Sequence, residues 1–133
     1  MSNKKLILGI GISGMSCIEF FNKNNITYKV FDTRDKNYFN DYDIENINIK
    51  SFYFGEYPDD FLNDIDEVIV SPGLNKNHKI FSDIVSNKIN IITDIDIFKR
   101  YCKSKIISVT GTNGKTTVVT MLEHALNIIG YKA

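Results

Sequence analysis

The sequence is short of cysteine, of net charge and of long apolar runs, and each shortage removes a class of protein. Cys17 and Cys102 are the two cysteines in 133 residues. They stand alone, without the paired spacing of a zinc site or a disulfide framework, and read as small core residues of a protein in a reducing compartment. Sixteen basic residues balance sixteen acidic ones, so nothing draws the chain toward nucleic acid or a membrane surface. The basic start is followed by only a short apolar run, which is no signal peptide, and nothing approaches membrane-spanning length. A cytoplasmic protein is expected. Internal repeats and low-complexity tracts are absent too.

What is present is enough apolar material, 43% of the residues, to bury on the order of two thirds of the unfolded surface. One domain, or one and part of another, is expected. The charge is divided unevenly, with 10 basic and 13 acidic residues up to Thr93 and 6 and 3 after it.

The positive part carries the most informative stretch, KIISVTGTNGKTTVVTM from Lys105 to Met121. Ile106 to Val109 reads as a short buried parallel strand, and Thr110 to Thr117 as a turn. Val118, Met121, Leu122, Ala125, Leu126 and Ile129 then recur at helical spacing, with Gly130 as terminator. A strand, a glycine turn and a helix make a phosphate cradle. Gly111 and Gly114 let the amides between them, around Thr112 and Asn113, turn toward an anion at the helix N-terminus. Lys115 is a mobile charge for outer phosphates, and the Thr116 hydroxyl, followed by Thr117, suits a bridging magnesium ion. Val109 stands where the Walker pattern has its first glycine. The competing reading is an ordinary turn with a chance Gly-Lys-Thr.

At the other end, a strand from Lys5 to Ile10 runs into Gly9-Ile10-Gly11-Ile12-Ser13-Gly14, a complete G-x-G-x-x-G. A helix from Met15 to Asn24 and a strand from Thr27 to Phe31 follow, ending on Asp32, 18 positions past Gly14. This is the dinucleotide-binding fingerprint in its expected context. A glycine turn before a helix reads any diphosphate, however. Two details argue against a nicotinamide cofactor: Thr33 and Arg34 put a cation beside the acid, and a dehydrogenase has no use for a triphosphate loop.

The stretch from Asp35 to Glu56 is polar and aromatic, with a strand expected at Ile47 to Phe54 and its rings read as packing residues. Pro58 to Asn63 could make a short helix. Glu67 to Val70 is a buried strand ending on Ser71-Pro72-Gly73, and in an open parallel sheet ligands sit at such ends. His78 to Asn87 is a helix with His78 as a surface residue. Ile89 to Ile92 is a strand, and Thr93-Asp94 caps a helix from Ile95 to Cys102. The fold class expected is α/β. A Rossmann-like parallel-sheet domain of about five strands occupies 1–93, and 94–133 holds a hinge helix with the first strand, phosphate loop and helix of a truncated P-loop ATPase domain.

GIGISG, FDTR, SPG and VTGTNGKTT, in that order and at these separations, resemble the Mur ligases of peptidoglycan synthesis. The likeness covers all 133 residues and includes SCIEFF and TDIDIF. The phosphate loop alone is also shared with folylpolyglutamate synthase. The resemblance implies an N-terminal domain that holds the UDP part of the substrate, a central domain that binds ATP, and a C-terminal domain that brings an amino acid. Gly11, Ile12, Ser13 and Gly14 would then lie against the diphosphate and uridine. Asp32, Thr33 and Arg34 would read the uracil edge, and Ser71, Pro72 and Gly73 would contact the nucleotide-sugar. Gly111, Thr112, Asn113, Gly114, Lys115, Thr116 and Thr117 would cradle ATP, with Lys115 and Thr116 as the catalytic candidates and Thr116 on magnesium. The implied reaction adds D-glutamate to UDP-N-acetylmuramoyl-L-alanine through an acyl phosphate. The family's magnesium-binding carboxylate, histidine and modified lysine have no counterpart here, nor does its amino-acid domain, so this chain alone should bind nucleotide without catalysing. Rival readings are an NAD-binding oxidoreductase fragment, another ligase of the superfamily, and a non-catalytic nucleotide-binding module. An Ile106 to Val109 strand without its own sheet is expected to self-associate, with the following helix, or to be poorly ordered.

Overall fold

The computed structural model describes residues 4–39, 52–72 and 74–132. They fall into two compact units, one reaching Tyr101 and one starting at Cys102.

The first unit alternates strand and helix: β1 (Lys4–Leu8), α1 (Ile12–Lys23), β2 (Tyr28–Asp32), a 3-10 turn (Lys36–Tyr38), β3 (Phe52–Phe54), β4 (Ile65–Val70), α2 (Lys79–Ser86), β5 (Asn90–Ile92) and α3 (Asp94–Tyr101). The strands pair in the order β3-β2-β1-β4-β5, every pair parallel. A parallel sheet is covered on both faces, which is why its central strands are apolar at consecutive positions. Leu6, Ile7 and Leu8 are all fully buried. Because successive side chains leave a strand on opposite sides, Leu6 and Leu8 pack with Phe31, Phe61, Ile80 and Ile84 on one face. Ile7 packs with Cys17, Ile18, Phe21, Val30 and Ile97 on the other. Cys17 is a core residue as expected; burial, helped by the charge of Asp94, pushes its thiol up to about 11.

Two expectations for this unit need correction. Pro58 to Asn63 forms successive turns, not a helix, with Phe61 N–H donating to Pro58 O at 2.9 Å and Asn63 N–H to Asp60 O at 3.1 Å. So short a stretch cannot offset the cost of helix nucleation, and its adjacent Phe61 and Leu62 both enter the core. The helix expected from Met15 begins at Ile12, inside the glycine turn. The compact unit itself reaches Tyr101, with α3 fastened to the sheet. Ile97 is buried, and Arg100 makes a two-pronged ion pair with Glu67 of β4 at 2.8 and 3.0 Å. Lys5 Nζ stands 3.0 Å from the same carboxylate, and Asn90 donates to it at 3.1 Å. Thr93 caps α3 reciprocally with Asp96, whose carboxylate accepts from the Thr93 N–H and hydroxyl at 2.9 and 2.8 Å. Of the strand expected at 47–54, only Phe52–Phe54 lies within the described residues.

The second unit holds α4 (Lys115–Ile128) and the segment before it. Ile106 to Val109 is not the buried strand expected: it has no strand pairing, and Ile106 and Ile107 are 42% and 61% exposed. A parallel strand needs a neighbour, and no described residues supply one. α4 ends as foreseen at Gly130, where Tyr131 N–H bonds to Leu126 O at 2.9 Å and Gly130 N–H to Asn127 O at 3.2 Å, the two bonds of a Schellman motif. No residue of α4 is buried. Among the described residues no helix is long and apolar enough to cross a membrane.

Candidate functional site

From β1 the chain leaves toward β2 and β3 on one side, and β4 and β5 lie on the other. Connections at the carboxyl ends of β1 and β4 therefore diverge and leave a crevice, the place where open parallel sheets take ligands. Here it is a cavity of about 310 Å³ lined by Gly9, Gly11, Thr33, Arg34, Ser71, Pro72, Leu74 and Asn75.

The glycine turn shapes one wall. Gly14 is buried, and a β-carbon on it would land on the carbonyl oxygen of Gly9; only glycine lets α1 approach β1 this closely. Gly14 is thus a packing residue, whereas Gly11 borders the cavity. Gly11 caps α1 without any side-chain hydrogen bond, and no acidic residue stands in the first turn. The amides around Ile12 and Ser13 accordingly form a helix N-terminus suited to an anion. Ile12, 91% exposed, is the most open large apolar side chain among the described residues of the unit.

The acid at the end of β2 is wholly buried. Asp32 Oδ2 accepts from Ile10 N–H at 2.7 Å and from Arg34 Nη2 at 2.8 Å; its Oδ1 accepts from Arg34 N–H and Nε, both at 2.9 Å. Burial alone would push this carboxyl up; the Arg34 guanidinium and the two amides outweigh it and hold it below the usual carboxylate range. The guanidinium carbon lies 4.5 Å from the centre of the Tyr38 ring and 4.4 Å from that of Phe39. Ser71 is buried as well. Its hydroxyl donates to Gly9 O at 3.0 Å and its N–H to Leu8 O at 2.9 Å, so its side chain joins two strand ends. Thr33, Arg34 and Pro72 line the cavity, and Gly73 lies outside the described residues.

Sequence reasoning passed over Leu74 and Asn75, which complete the cavity, and read the rings of 35–56 as general packing. Phe39, Phe52 and Phe54 do pack against the core; Tyr38 and Phe39 in addition flank the Arg34 guanidinium, and their signal was two aromatics four and five positions after Arg34. His78, expected as a plain surface residue, caps α2 by accepting the Ile80 N–H at Nδ1, 3.2 Å away.

In the second unit the loop from Gly111 to Gly114 leads into α4, where Lys115, Thr116 and Thr117 form the exposed first turn. Gly114 is the cap residue, at φ +75°, and again no side chain caps the helix. Lys115 folds back so that Nζ donates to Gly111 O at 2.6 Å and Thr112 O at 3.4 Å. The open helix end and the cation beside it fit a polyphosphate. For magnesium, Thr116 offers one hydroxyl, and among the described residues no group of three or more His, Cys, Asp or Glu gathers to complete a metal site.

A parallel sheet in this order, with a glycine turn at its switch point, is a Rossmann-like α/β fold. The family described as "Mur ligase MurD-like, N-terminal domain" matches residues 3–93, and the chain belongs to it. It is 41% identical over 129 residues to a UDP-N-acetylmuramoylalanine--D-glutamate ligase of Buchnera aphidicola subsp. Schizaphis graminum, covering 97% of this chain and 29% of that protein. It is 32% identical over 128 residues to the ligase of the same name from Yersinia pestis bv. Antiqua, covering 96% and 28%. Among solved structures, a pseudomurein peptide ligase type C from Methanothermus fervidus superposes with a TM-score of 0.58 at 28% identity, over 96% of this chain and 26% of that one. The chain thus spans less than a third of the length of the curated relatives it matches.

Proposed function

We propose that this chain is the substrate-binding part, and the opening of the ATP-binding part, of an ATP-dependent ligase that joins D-glutamate to UDP-N-acetylmuramoyl-L-alanine. The observation that carries this reading is the switch-point crevice, with an uncapped helix N-terminus on one wall and Arg34 on the other. The α1 N-terminus takes the diphosphate, Thr33 and Arg34 meet the uracil, and the Ser71-Pro72-Gly73 turn lies toward the sugar. In the second unit Gly111 to Thr117 hold ATP. Lys115 exchanges its loop carbonyls for outer phosphate oxygens and offsets charge on the phosphoryl group as it passes to the substrate carboxylate, giving an acyl phosphate and ADP; the amine of D-glutamate then attacks the acyl carbon and expels phosphate. Thr116 would hold magnesium through its hydroxyl, and the ion, when bound, would supply charge stabilisation for the phosphates. That this chain by itself binds nucleotides without turning over is part of the same proposal. A cytoplasmic location and self-association through the exposed face of α4 belong to the same proposal, the latter checked by elution volume.

The test is a thermal shift with UDP-N-acetylmuramoyl-L-alanine, UDP, NAD and ATP side by side. A ligand at 100 times its dissociation constant adds about 2.7 kcal/mol, enough to raise the midpoint by several degrees. Shifts with the uridine compounds and none with NAD are expected. A shift with NAD alone would return the chain to the oxidoreductase reading.

A further inference from the structure

β4 and β5 end beside a second cavity, larger than the crevice at about 550 Å³ and within the size range of small-molecule sites. Ser71, Pro72 and Leu74 line both, so the turn after β4 is a partition with a cavity on either side. Leu74 leans on the glycine turn, where a β-carbon added to Gly9 would meet its Cδ1 at 3.0 Å. The two sides differ in chemistry. The crevice has an uncapped helix N-terminus and a guanidinium already paired with Asp32. The second cavity is walled by Val70, Phe81, Ile91 and Ile92 together with Leu74.

Ile91 is the informative wall. It lies opposite Val68 in the parallel pairing, and paired residues share a face of the sheet, here the face that α2 covers through Ile80 and Ile84. β5 is the edge strand, however, and Ile91 stays 45% exposed. The charged residue of the lining is Lys76, and no acidic side chain lines the cavity. Among the described residues the Lys76 ammonium has neither an ion pair nor a hydrogen bond.

We infer that this cavity is a second ligand site, for an amphipathic organic monoanion: an aromatic or branched apolar body seated against Phe81 and Ile91, with one carboxylate at Lys76. Most of its affinity comes from apolar surface removed from water, and the exposed ammonium adds about threefold. The site stands whether or not the crevice takes a uridine nucleotide.

The probe is 4-phenylbutanoate, with its neutral amide for comparison, titrated into the 133-residue chain and followed by the methyl resonances of Leu74, Ile91 and Ile92. The acid is expected to move them saturably, with a dissociation constant on the order of 1 mM for a ligand of this size, and the amide to bind about threefold more weakly. Lys76→Ala should bring the acid down to the amide and leave the amide where it was. Ile91→Glu, at an exposed edge position, should weaken the acid more than tenfold by removing apolar wall and adding a like charge. Equal affinity of acid and amide overturns the inference. So do shifts centred on the Gly11 and Arg34 amides or on the methyls of α4, and methyl positions that follow protein concentration without any ligand, which would show a second copy covering the cavity. Should Ile91→Glu fail to fold, nuclear Overhauser contacts of the phenyl ring with Ile91 and Phe81 in the unaltered chain decide, and their absence sinks the site.

Discussion

In the first unit β1 is sealed from Leu6 to Leu8, and Phe21, Val30, Phe31 and Val68 beside it are buried to within 1%. In the second, α4 repeats apolar residues at helical spacing just as regularly, yet Val118, Met121 and Ile129 are 45%, 67% and 67% exposed and nothing on the helix is buried. The difference lies in what the elements have to pack against. α1, α2 and α3 lie on a sheet with two faces; within the described residues of its own unit α4 meets the segment around Ile107 and Val109, with which Val119, Leu122 and Leu126 line a shallow cavity of about 280 Å³. Periodicity states which face of a helix requires cover, and cannot state whether the chain supplies it.

The strongest way to break this contrast is to remove side chains on both sides of it. Phe21→Ala should cost about 4 kcal/mol in urea unfolding, and Met121→Ala less than about 0.5 kcal/mol. A cost above about 2 kcal/mol at Met121 would mean that the α4 face is covered in solution. Backbone comes next. Gly14→Ala should cost about 3 kcal/mol, since its β-carbon meets a carbonyl that cannot move without the sheet. Gly114→Ala, with a positive φ but open space around it, should cost only about 1 kcal/mol; equal costs would erase the distinction. Smallest is the effect of the clamp on α3. Arg100 first, and Lys5 with it, hold the Glu67 carboxyl down at about 2, against an ordinary 4.5. Because the folded value is the lower one, this contribution is complete above about pH 4.5 and is lost as pH falls toward 2. Glu67→Gln should cost about 1–2 kcal/mol at pH 7, below the range for a fully buried pair because Arg100 is 45% exposed, and should flatten that acid limb. An unchanged acid limb would show that the clamp adds no stability.

Most of the first unit was legible because its signals are local. Gly9 to Gly14, the apolar runs of β1 and β4, and Thr93 with Asp94 ahead of the last helix of the unit each specify their own backbone. The strand at Ile106 to Val109 was misread because pairing is decided elsewhere: a β-branched run is as consistent with an unpaired segment as with a buried strand. Within the candidate site, spacing located Asp32, Arg34 and Ser71. What those residues do was hidden, because it depends on atoms far away in sequence. Ser71 meets Gly9 across 62 positions, and Asp32 meets Ile10 across 22.

The Ser71 hydroxyl and amide bind the end of β4 to the end of β1 at both Gly9 O and Leu8 O. The floor of the crevice is thereby a single stiff piece before any ligand arrives. Association need not freeze it, so the ordering entropy that a looser floor would forfeit is already spent in folding. Softening that joint would register as a less favourable binding entropy, with no contact to the ligand removed.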